Sequence, residues 1–407
     1  MKTIYLHMIH AISGHQMRAI QEMPGIQRML RLLRILGILA ILVLPFSMHA
    51  QNLSLNGQVI GWSTINPAEP FQAQSGLRYI PELKFEVPLG NLFLEGEGSL
   101  NIWGSSTYAG GDTLAYDSEL SLYRAWVKVA GNQWELRAGL QKINFGSARM
   151  LRPLMWFDRI DPRDPLQLTD GVYGLLGRYY FLNNANIWLW GLYGNNEIKG
   201  LEQFPTRKKG IEYGGRLQLP VYIGEAALSF HHRETDPDAV LPDSLHTGDT
   251  YPENRIAFDT KVDLGIGLWL EGSLTQHNLD FSPVDYTTML NAGIDYTFSI
   301  GNGMNVMSEG FFLLAGEKPF ATDQQLSFLG ATVSYPLNII HNLSGIVFYD
   351  FTNKDFYRFI NWSMTFDRWT FYTMAFWNPN NYQLYNFQQE ATLFSGAGFQ
   401  LMAVFNH

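Results

Sequence analysis

Residues 77–102, LRYIPELKFEVPLGNLFLEGEGSLNI, contain two runs in which apolar and polar side chains alternate. In the first run the apolar face carries Leu77, Tyr79, Leu83, Phe85 and Val87, and the other face carries Arg78, Glu82, Lys84 and Glu86. A period of two residues is typical of a β-strand whose faces meet different surroundings. Residues 88–91, PLGN, join the runs and have the composition of a tight turn. The stretch therefore predicts a hairpin with one apolar and one charged face.

The same alternation returns along the whole chain after residue 51, and no linker or low-complexity tract divides it. We predict about eighteen strands, which start near residues 53, 77, 92, 118, 133, 172, 186, 210, 224, 254, 267, 287, 304, 325, 343, 356, 368 and 393. A count of about sixteen is the alternative. The expected fold is a single all-β antiparallel domain over residues 51–407, without a plug domain.

The connectors between these strands alternate in length. Those after even-numbered strands are short, at 88–91, 130–132, 182–185, 220–223, 264–266, 300–303, 337–342 and 367–368. Most of those after odd-numbered strands are long and polar, at 66–75, 105–117, 146–171, 234–252 and 378–390. A transmembrane β-barrel has short turns on one side and long loops on the other, whereas a soluble sandwich has no reason for the difference. The pattern predicts a membrane barrel.

Composition also favours the membrane barrel. Charged residues make up 16% of the chain, against roughly 25% in ordinary soluble domains. The charged strand faces could not pack into a dry core, because an unpaired buried charge is strongly destabilising, but a wet lumen accepts them. Aromatic residues near strand ends fit the girdles at the two membrane surfaces. They are Trp103, Trp126, Trp134, Tyr179, Tyr213, Tyr296, Tyr335, Trp362, Trp369 and Trp377.

The first 50 residues have the pattern of a secretory signal peptide. Arg31 and Arg34 precede an apolar run at 35–46, and Ala50 stands where cleavage is expected. The run is shorter than the roughly 20 apolar residues that span a bilayer. Translation starts at Met1 or, if residues 1–28 are an over-extended gene start, at Met29. We expect a signal peptide over 1–50 and a mature barrel in the outer membrane of a Gram-negative cell; a retained anchor is the alternative.

Several function classes lack their sequence signals. The chain has no cysteine, which excludes disulfides and thiolate metal sites. Its net charge of −9 argues against nucleic acid, whose phosphates require a basic face. His231 and His232 could serve a hydrolase, but only one of two adjacent strand residues can face inward, and neither GxSxG nor HExxH occurs. We expect no cofactor, no metal and no enzymatic activity.

Charged side chains on the inward face are the candidates for contact with solutes. The basic ones are Arg78, Arg124, Lys128, Arg137, Arg178 and Arg216, and the acidic ones are Glu82, Glu86, Glu95, Glu97 and Glu135. If the two sets face each other, they create a transverse field that steers charged solutes at a constriction. The alternative is that they neutralise one another in a wide lumen.

The connector at 147–170 is the second candidate. Arginines and aspartates alternate along it, prolines stiffen it, and Met155–Phe157 form an apolar cluster that is poorly suited to open water. Loops longer than roughly 15 residues are commonly functional when their composition argues against disorder. We expect this one to fold into the lumen and narrow it, with a lid on the outer surface as the alternative. Its candidate residues are Arg149, Arg152, Trp156 and Asp158.

Residues 122–164 resemble the outer-membrane porin families that include the alginate-export β-barrels. The matching positions are Arg124, Trp126, Arg137, Gly139, Gln141, Phe145, Gly146, Arg149, Trp156 and Asp158. The resemblance implies an eighteen-stranded channel without a plug that guides an anionic polysaccharide or small organic solutes. The chain departs from the pattern at Leu140, where an arginine is expected, and in its acid-rich loop.

The sequence as a whole predicts a porin-like channel for diffusion of small, anionic or saccharide solutes. Its expected partners are outer-membrane lipid, lipopolysaccharide and the solutes themselves, whereas the oligomeric state is left open. Two alternatives come from other classes: an outer-membrane hydrolase, and a barrel that serves structure or secretion and conducts nothing.

Overall fold

The computed structural model describes residues 52–69, 71–110, 113–246, 248–279, 282–380 and 393–407. The predicted signal peptide and its cleavage site lie outside these residues. Within them the chain forms eighteen strands: β1 (Asn52–Asn66), β2 (Gln72–Leu89), β3 (Leu92–Ala109), β4 (Thr113–Ala130), β5 (Trp134–Gln141), β6 (Val172–Tyr180), β7 (Asn186–Tyr193), β8 (Ile211–Val221), β9 (Gly224–Thr235), β10 (Tyr251–Asp263), β11 (Gly267–His277), β12 (Tyr286–Phe298), β13 (Met304–Gly316), β14 (Gln324–Pro336), β15 (His341–Asp350), β16 (Asp355–Thr365), β17 (Trp369–Trp377) and β18 (Ala397–Asn406).

The sheet is a closed antiparallel barrel. Each strand pairs with the next along the chain, and β1 also pairs with β18, where Ile60 lies opposite Val404. Closure pairs the backbone groups of both would-be edge strands, as a sheet in hydrocarbon requires. The prediction of an all-β barrel of eighteen strands is confirmed, and the count of sixteen is wrong.

The two faces of the wall differ as the alternation predicts. On β10, Ile256 and Phe258 are exposed on the outside, whereas Arg255 and Asp259 are buried on the inside. Large exposed apolar side chains occur on nearly every strand, which suits an outer face in contact with lipid. None of the helices in the described part of the chain is long and apolar enough to span a membrane.

The connectors depart from the predicted pattern in three places. All those after even-numbered strands are short, but the expected long loops at 66–75 and 105–117 are largely strand, and the connector between β15 and β16 also has only four residues, 351–354. The backbone pairing of β3 with β4 continues through these polar residues up to Ala109, which lies opposite Thr113. The Ser, Thr and Gly residues there predict a loop by composition, but they pair with the neighbouring strand because β-propensity depends strongly on context.

Two of the predicted girdle residues lie on the inner face instead. Trp103 is paired with Arg78 and Trp126 with Glu97, all on the inner face. The other eight predicted positions fall on the outer side, and Trp369 is typical of them at 44% exposure. Position parity separates the two groups, because Trp126 shares its face with Arg124 and Lys128.

The buried apolar residues form three clusters inside the barrel, and the segment 142–171 between β5 and β6 contributes to each. Ala148, Met150 and Leu151 pack with residues of β11 to β17. Phe145 and Phe157 belong to a second cluster with β6, β7 and β10. The third cluster surrounds Ile60 at the closure of the barrel, and residues 166 and 168 pack against it. We call residues 142–171 the inner segment.

Candidate functional site

The inner segment is attached to the far wall by two buried glutamates. Three consecutive backbone N–H groups donate to the Glu309 carboxylate on β13: those of Arg149 at 2.6 Å, Met150 at 2.9 Å and Leu151 at 2.9 Å. Consecutive amides that converge on one group form an anion-binding nest. The Asn291 amide and the Trp269 indole also donate to Glu309, at 3.1 and 3.2 Å. The carboxylate therefore accepts five hydrogen bonds.

Glu271 on β11 holds the same segment in a similar way. Its carboxylate accepts hydrogen bonds from the amides of Ser147 at 2.8 Å, Ala148 at 3.0 Å and Leu154 at 2.8 Å. Gly146 makes the close approach feasible, because its φ is +101° and a Cβ there would lie 2.6 Å from the Glu271 carboxylate. Glycine adopts this backbone conformation without strain.

Two of the predicted site residues stabilise the interior of the inner segment. Arg152 donates to Asp158 through both terminal nitrogens, at 2.6 and 3.2 Å, and also reaches the carbonyl of Phe145 at 3.2 Å. Both side chains are almost fully buried. A bidentate pair with further hydrogen bonds is the arrangement in which a buried ion pair is tolerated. These charges fix the shape of the segment and are not open to passing ions.

Trp156 is buried in an aromatic group that joins the inner segment to β7 and β9. The ring of Phe145 lies 5.5 Å from that of Trp156 and 5.7 Å from that of Trp190, measured between centroids. The Trp190 indole donates to Nδ1 of His231 at 3.1 Å, which leaves the proton of a neutral imidazole on Nε2. His231 faces inward, and His232 lies on the outer face against Tyr213.

The distal part of the inner segment reaches the opposite side of the barrel. The Arg163 guanidinium lies over the ring of Phe359 on β16 at 5.6 Å, and the Arg124 side chain on β4 donates to the carbonyl of Thr169 at 2.8 Å. Asp164 accepts from the amides of Leu166 and Leu168 at 2.9 and 3.1 Å. Burial raises the pKa of the Asp164 carboxyl, and these two hydrogen bonds oppose the rise.

Predicted charges on β3 to β6 form one patch in which the signs alternate. Lys128 lies 2.8 Å from Glu95 and 4.0 Å from Glu135, and Arg178 lies 2.9 Å from Glu135. Opposite charges on neighbouring strands partly neutralise one another, so this patch fits the second of the two arrangements considered for the lumen. Farther along, Lys84 pairs with Glu82 at 2.7 Å.

Several of the inward arginines lie against aromatic rings. The Arg178 guanidinium is 3.7 Å from the ring of Trp188, and that of Arg137 is 4.5 Å from the ring of Trp126. Arg78 lies 5.8 Å from each of the Trp62 and Trp103 rings. These contacts keep the guanidinium groups close to the wall. Glu97 and Glu86 are on the same wall, on β3 and β2.

Arg216 and Arg149 differ in access. Arg216 forms a buried pair with Asp259, at 2.5 and 2.9 Å, and the Ser147 hydroxyl donates to the same aspartate at 3.4 Å. The side chain of Arg149 is 49% exposed and lies 3.4 Å from Asp295. Of the charged candidates in the inner segment, Arg149 is therefore the one that water and ions can reach.

A buried ion network at the long-loop end was not predicted from the sequence. Glu202, in the connector between β7 and β8, contacts Arg233 at 3.2 Å and Arg255 at 3.0 Å, and Glu253 contacts both arginines at 2.6 Å. Lys199 lies 3.1 Å from Glu212, which also contacts His231 at 3.2 Å. Three cationic side chains, Lys199, Arg233 and Arg255, thus pair with three anionic ones, Glu202, Glu212 and Glu253.

The sequence also did not identify Glu271 and Glu309 as functional residues. Each is the sole acidic side chain of its strand and stands on an inward face, Glu309 between Met307 and Phe311, and Glu271 between Trp269 and Ser273. A lone acid at such a position needs hydrogen-bond donors from elsewhere, because an unpaired buried carboxylate is strongly disfavoured. A lone acidic residue on the inward face therefore indicates a buried contact, but it does not indicate which residues supply the donors.

Comparisons with known proteins concern the barrel. No protein-family model and no curated protein matches the chain. Among solved structures, OccAB1 of Acinetobacter baumannii is similar over 88% of this chain and 97% of its own, with 8% identity and a TM-score of 0.50. Wzi, an Escherichia coli outer-membrane protein described as a carbohydrate-binding β-barrel involved in group 1 capsule assembly, covers 88% of this chain and 85% of its own, with 13% identity and a TM-score of 0.49.

An anion-selective porin from Comamonas acidovorans covers 88% of this chain and 99% of its own, with 13% identity and a TM-score of 0.45. At these identities the likeness concerns the fold and carries no function across. The chain has the β-barrel fold of Gram-negative outer-membrane proteins.

Proposed function

We propose that the chain is an outer-membrane, porin-like channel for the diffusion of small, anionic or saccharide solutes, and that the inner segment is its constriction. The observation that carries the proposal is the attachment of this segment to the far wall. Glu271 and Glu309 accept six backbone hydrogen bonds from residues 147–154. A segment fixed at this depth limits the width of the path for solutes, whereas a surface lid would leave it wide.

The candidate residues have two different roles in this proposal. Arg78, Arg137, Arg178, Lys128, Glu95 and Glu97 line the path on β2 to β6, and Arg149 lines it from the inner segment. Arg124, Arg152, Trp156, Asp158 and Arg216 are buried and hold the constriction in shape. The first group would act on the selectivity of the channel and the second on its width.

Preference for anionic solutes is supported by the arginines that lie against indole rings. A guanidinium group binds a carboxylate or phosphate in a bidentate manner and stays charged at all physiological pH values. Because the rings keep Arg78 and Arg137 close to the wall, these two groups are available without closing the path, whereas Arg178 is already paired with Glu135. The sequence resemblance to alginate-export barrels agrees with this preference, and an anionic polysaccharide stays within the proposal.

Single-channel recording in planar bilayers tests the proposal. The parent protein should give a steady, ohmic conductance, and deletion of Leu151–Leu166 with a short Gly-Ser bridge should raise it severalfold. The matched control replaces Pro242–Asp249, in the connector between β9 and β10, by the same bridge and should leave the conductance unchanged. Heat-modifiable gel mobility shows that each variant is folded. Equal conductance of the parent and the folded inner-segment deletion would make the segment a surface feature.

A non-conducting barrel is the second candidate, and one observation favours it. The inner segment contributes to all three buried clusters, which involve strands on every side of the barrel. If the segment closes the lumen, the parent is silent in the bilayer and the deletion conducts. The hydrolase has no comparable support among the described residues, because the ring nitrogens of His231 are both engaged, one by Trp190 and one by Glu212.

A further inference from the structure

A recess of about 400 Å³ lies on the long-loop side of the inner segment. Its base is formed by Leu151 and Trp156 of the inner segment, and its walls by the long-loop ends of β10 to β15. Small-molecule sites in proteins typically measure roughly 300 to 1,000 Å³ and are largely apolar. The recess thus has the size of a site for one small organic molecule.

The apolar part of the recess is built from large, polarisable side chains. Met289, Phe311 and Phe328 are buried and line it from β12, β13 and β14. Together with Trp156 they offer a surface that suits an aromatic or alicyclic body. Free ions make little use of such a surface, since their binding depends on charge and hydrogen bonds.

The basic side chains that line the recess are paired with carboxylates. Arg255 lines it, but its guanidinium donates to Glu253 at 2.6 Å and to Glu202 at 3.0 Å. His277 also lines it and bonds to Glu253 at 3.0 Å and to Thr287 at 3.2 Å. An anionic ligand would therefore lose its hydration without gaining an unpaired counter-ion. The lining carboxylate of Asp350 already accepts from the backbone amides of Thr352 and Asn353, at 2.8 and 3.1 Å.

Two buried hydroxyl groups in the wall have unused hydrogen-bonding capacity. Ser273 and Thr275 on β11 are exposed by only 4% and 7%, and both line the recess. Neither hydroxyl has a hydrogen-bond partner among the residues that the structure describes, and neither is fully enclosed. Because both hydroxyls open into the recess and are unpaired there, a ligand with a matching donor or acceptor can form a hydrogen bond with them.

We propose that this recess binds an uncharged, amphipathic small molecule with an aromatic or alicyclic body and a hydroxyl or carbonyl group. The body lies on Met289, Phe311, Phe328 and Trp156, and the polar group bonds to Ser273 or Thr275. Binding does not require that the barrel conduct. A role of the recess in capturing solutes for passage rests on the proposed channel function.

Equilibrium dialysis of the full-length protein in detergent tests the site, with matched micelles in both chambers. The probe is 2-naphthol, which is neutral at pH 7, and the charged comparison is naphthalene-2-sulfonate. We expect one saturable site per chain for 2-naphthol and binding at least about tenfold weaker for the sulfonate, because each arginine among the described lining residues is already paired with a carboxylate. Absence of saturable 2-naphthol binding to folded protein would overturn the proposal.

Two variants fill the recess from different walls, Thr275→Phe on β11 and Leu326→Trp on β14. Each should weaken 2-naphthol binding by about tenfold or more, since it occupies the space for the ring. The matched control Leu274→Phe places the same bulk on the outer face of β11 and should leave binding unchanged. Equal binding to Thr275→Phe and Leu274→Phe would locate the probe at the lipid face and contradict the proposal.

A milder double variant, Ser273→Ala with Thr275→Val, removes only the hydroxyls and serves if the filling variants do not fold. The double variant should weaken the binding of 2-naphthol by about tenfold and leave the binding of naphthalene nearly unaffected. Only 2-naphthol has a hydroxyl group that can form the hydrogen bond. Equal loss for both probes would exclude a hydrogen bond to these residues. If the protein binds 2-naphthol saturably but does not conduct, only the proposed channel function is contradicted. If it conducts but does not bind 2-naphthol, only the proposed binding site in the recess is contradicted.

Discussion

The backbone amide of Met150 donates a hydrogen bond to the Glu309 carboxylate at 2.9 Å, although 159 positions separate the two residues in the chain. Met150 lies in the connector after β5, and Glu309 lies on β13. The bond therefore joins opposite parts of the barrel through its interior. The role of the inner segment depends on such bonds, and they can be tested one at a time.

Glu309→Gln should release the inner segment. A glutamine offers one acceptor oxygen where five donors converge, and each buried group left unpaired costs about 1 to 3 kcal/mol. Trypsin should then cleave after Arg149, Arg159 or Arg163 at least about tenfold faster in folded protein, because cleavage follows the population of the open form. Glu317→Gln changes an exposed residue just after β13 and is the control. Trypsin should cleave the inner segment of this variant at the parental rate. If trypsin cleaves the inner segment of Glu309→Gln no faster than that of the parent, Glu309 does not hold the segment in place.

Gly146→Ala should also release the inner segment, by disturbing its contact with Glu271. The added Cβ would lie 2.6 Å from the Glu271 carboxylate, at a φ of +101° that alanine rarely adopts. We expect loss of about 1 to 3 kcal/mol from the free energy of attachment, measured as faster tryptic cleavage and as increased current noise. Gly310→Ala is the matched control, because a Cβ at Gly310 meets no atom within 4 Å. Identical behaviour of the two variants would contradict the close approach.

Ion selectivity should respond to Arg149 and not to a surface charge. Arg149→Glu reverses a side chain that is 49% exposed inside the barrel, and such a charge acts on ions within a Debye length of about 8 Å at physiological salt. The reversal potential in a salt gradient should shift in the direction of greater cation selectivity, with little change in conductance. Lys318→Glu, in the exposed connector between β13 and β14, should produce no such shift. A parental reversal potential in Arg149→Glu would remove Arg149 from the ion path.

The orientation of the barrel can be read with single cysteines, since the chain has none of its own. Asp243→Cys and Glu317→Cys lie at the long-loop end and should react with an impermeant maleimide on intact cells. Asp367→Cys, in the short turn between β16 and β17, should react only after the membrane is permeabilised. Labelling of Asp367→Cys on intact cells would reverse the orientation.

Stability should rise as the pH falls through the raised pKa of Asp164. Burial raises the pKa of this carboxyl in the folded protein, so the fold binds the proton more tightly than the unfolded chain does. The penalty of the buried carboxylate is full above the folded pKa and is lost as the pH falls to the ordinary aspartate range. The melting temperature of the parent should therefore approach that of Asp164→Asn on acidification. A gap between the two that does not change with pH would contradict the burial of an ionised carboxylate.

Strand order and facing were predictable from the sequence because they follow from a local period of two. The hairpin of β2 and β3, the barrel count and the inward positions of Arg78, Lys128 and Arg178 all depend on this period. Strand length was harder to predict, since the Ser- and Thr-rich ends of β3 and β4 pair only because each has the other beside it.

The attachment of the inner segment could not be predicted in the same way. Its apolar Met155–Phe157 cluster indicated that the connector avoids water, but its partners Glu271 and Glu309 lie more than 100 positions later in the chain. A period reports the face on which a residue stands and carries no information on which distant residue it meets. The pairing of Arg152 with Asp158 is local, and the alternation of charges in the connector was a usable signal for it.

The distance along the chain between the inner segment and its glutamates also bears on how the barrel is assembled. Residues 142–171 leave the ribosome and cross the inner membrane well before β11 and β13, so they wait without their final partners. Closing so large a loop is slow relative to forming hairpins between neighbouring strands. We therefore expect the wall to form first and the inner segment to enter the barrel last. In that order of assembly its Trp, Phe and Met side chains would be exposed in the periplasm, where exposed apolar surface promotes aggregation and chaperone binding.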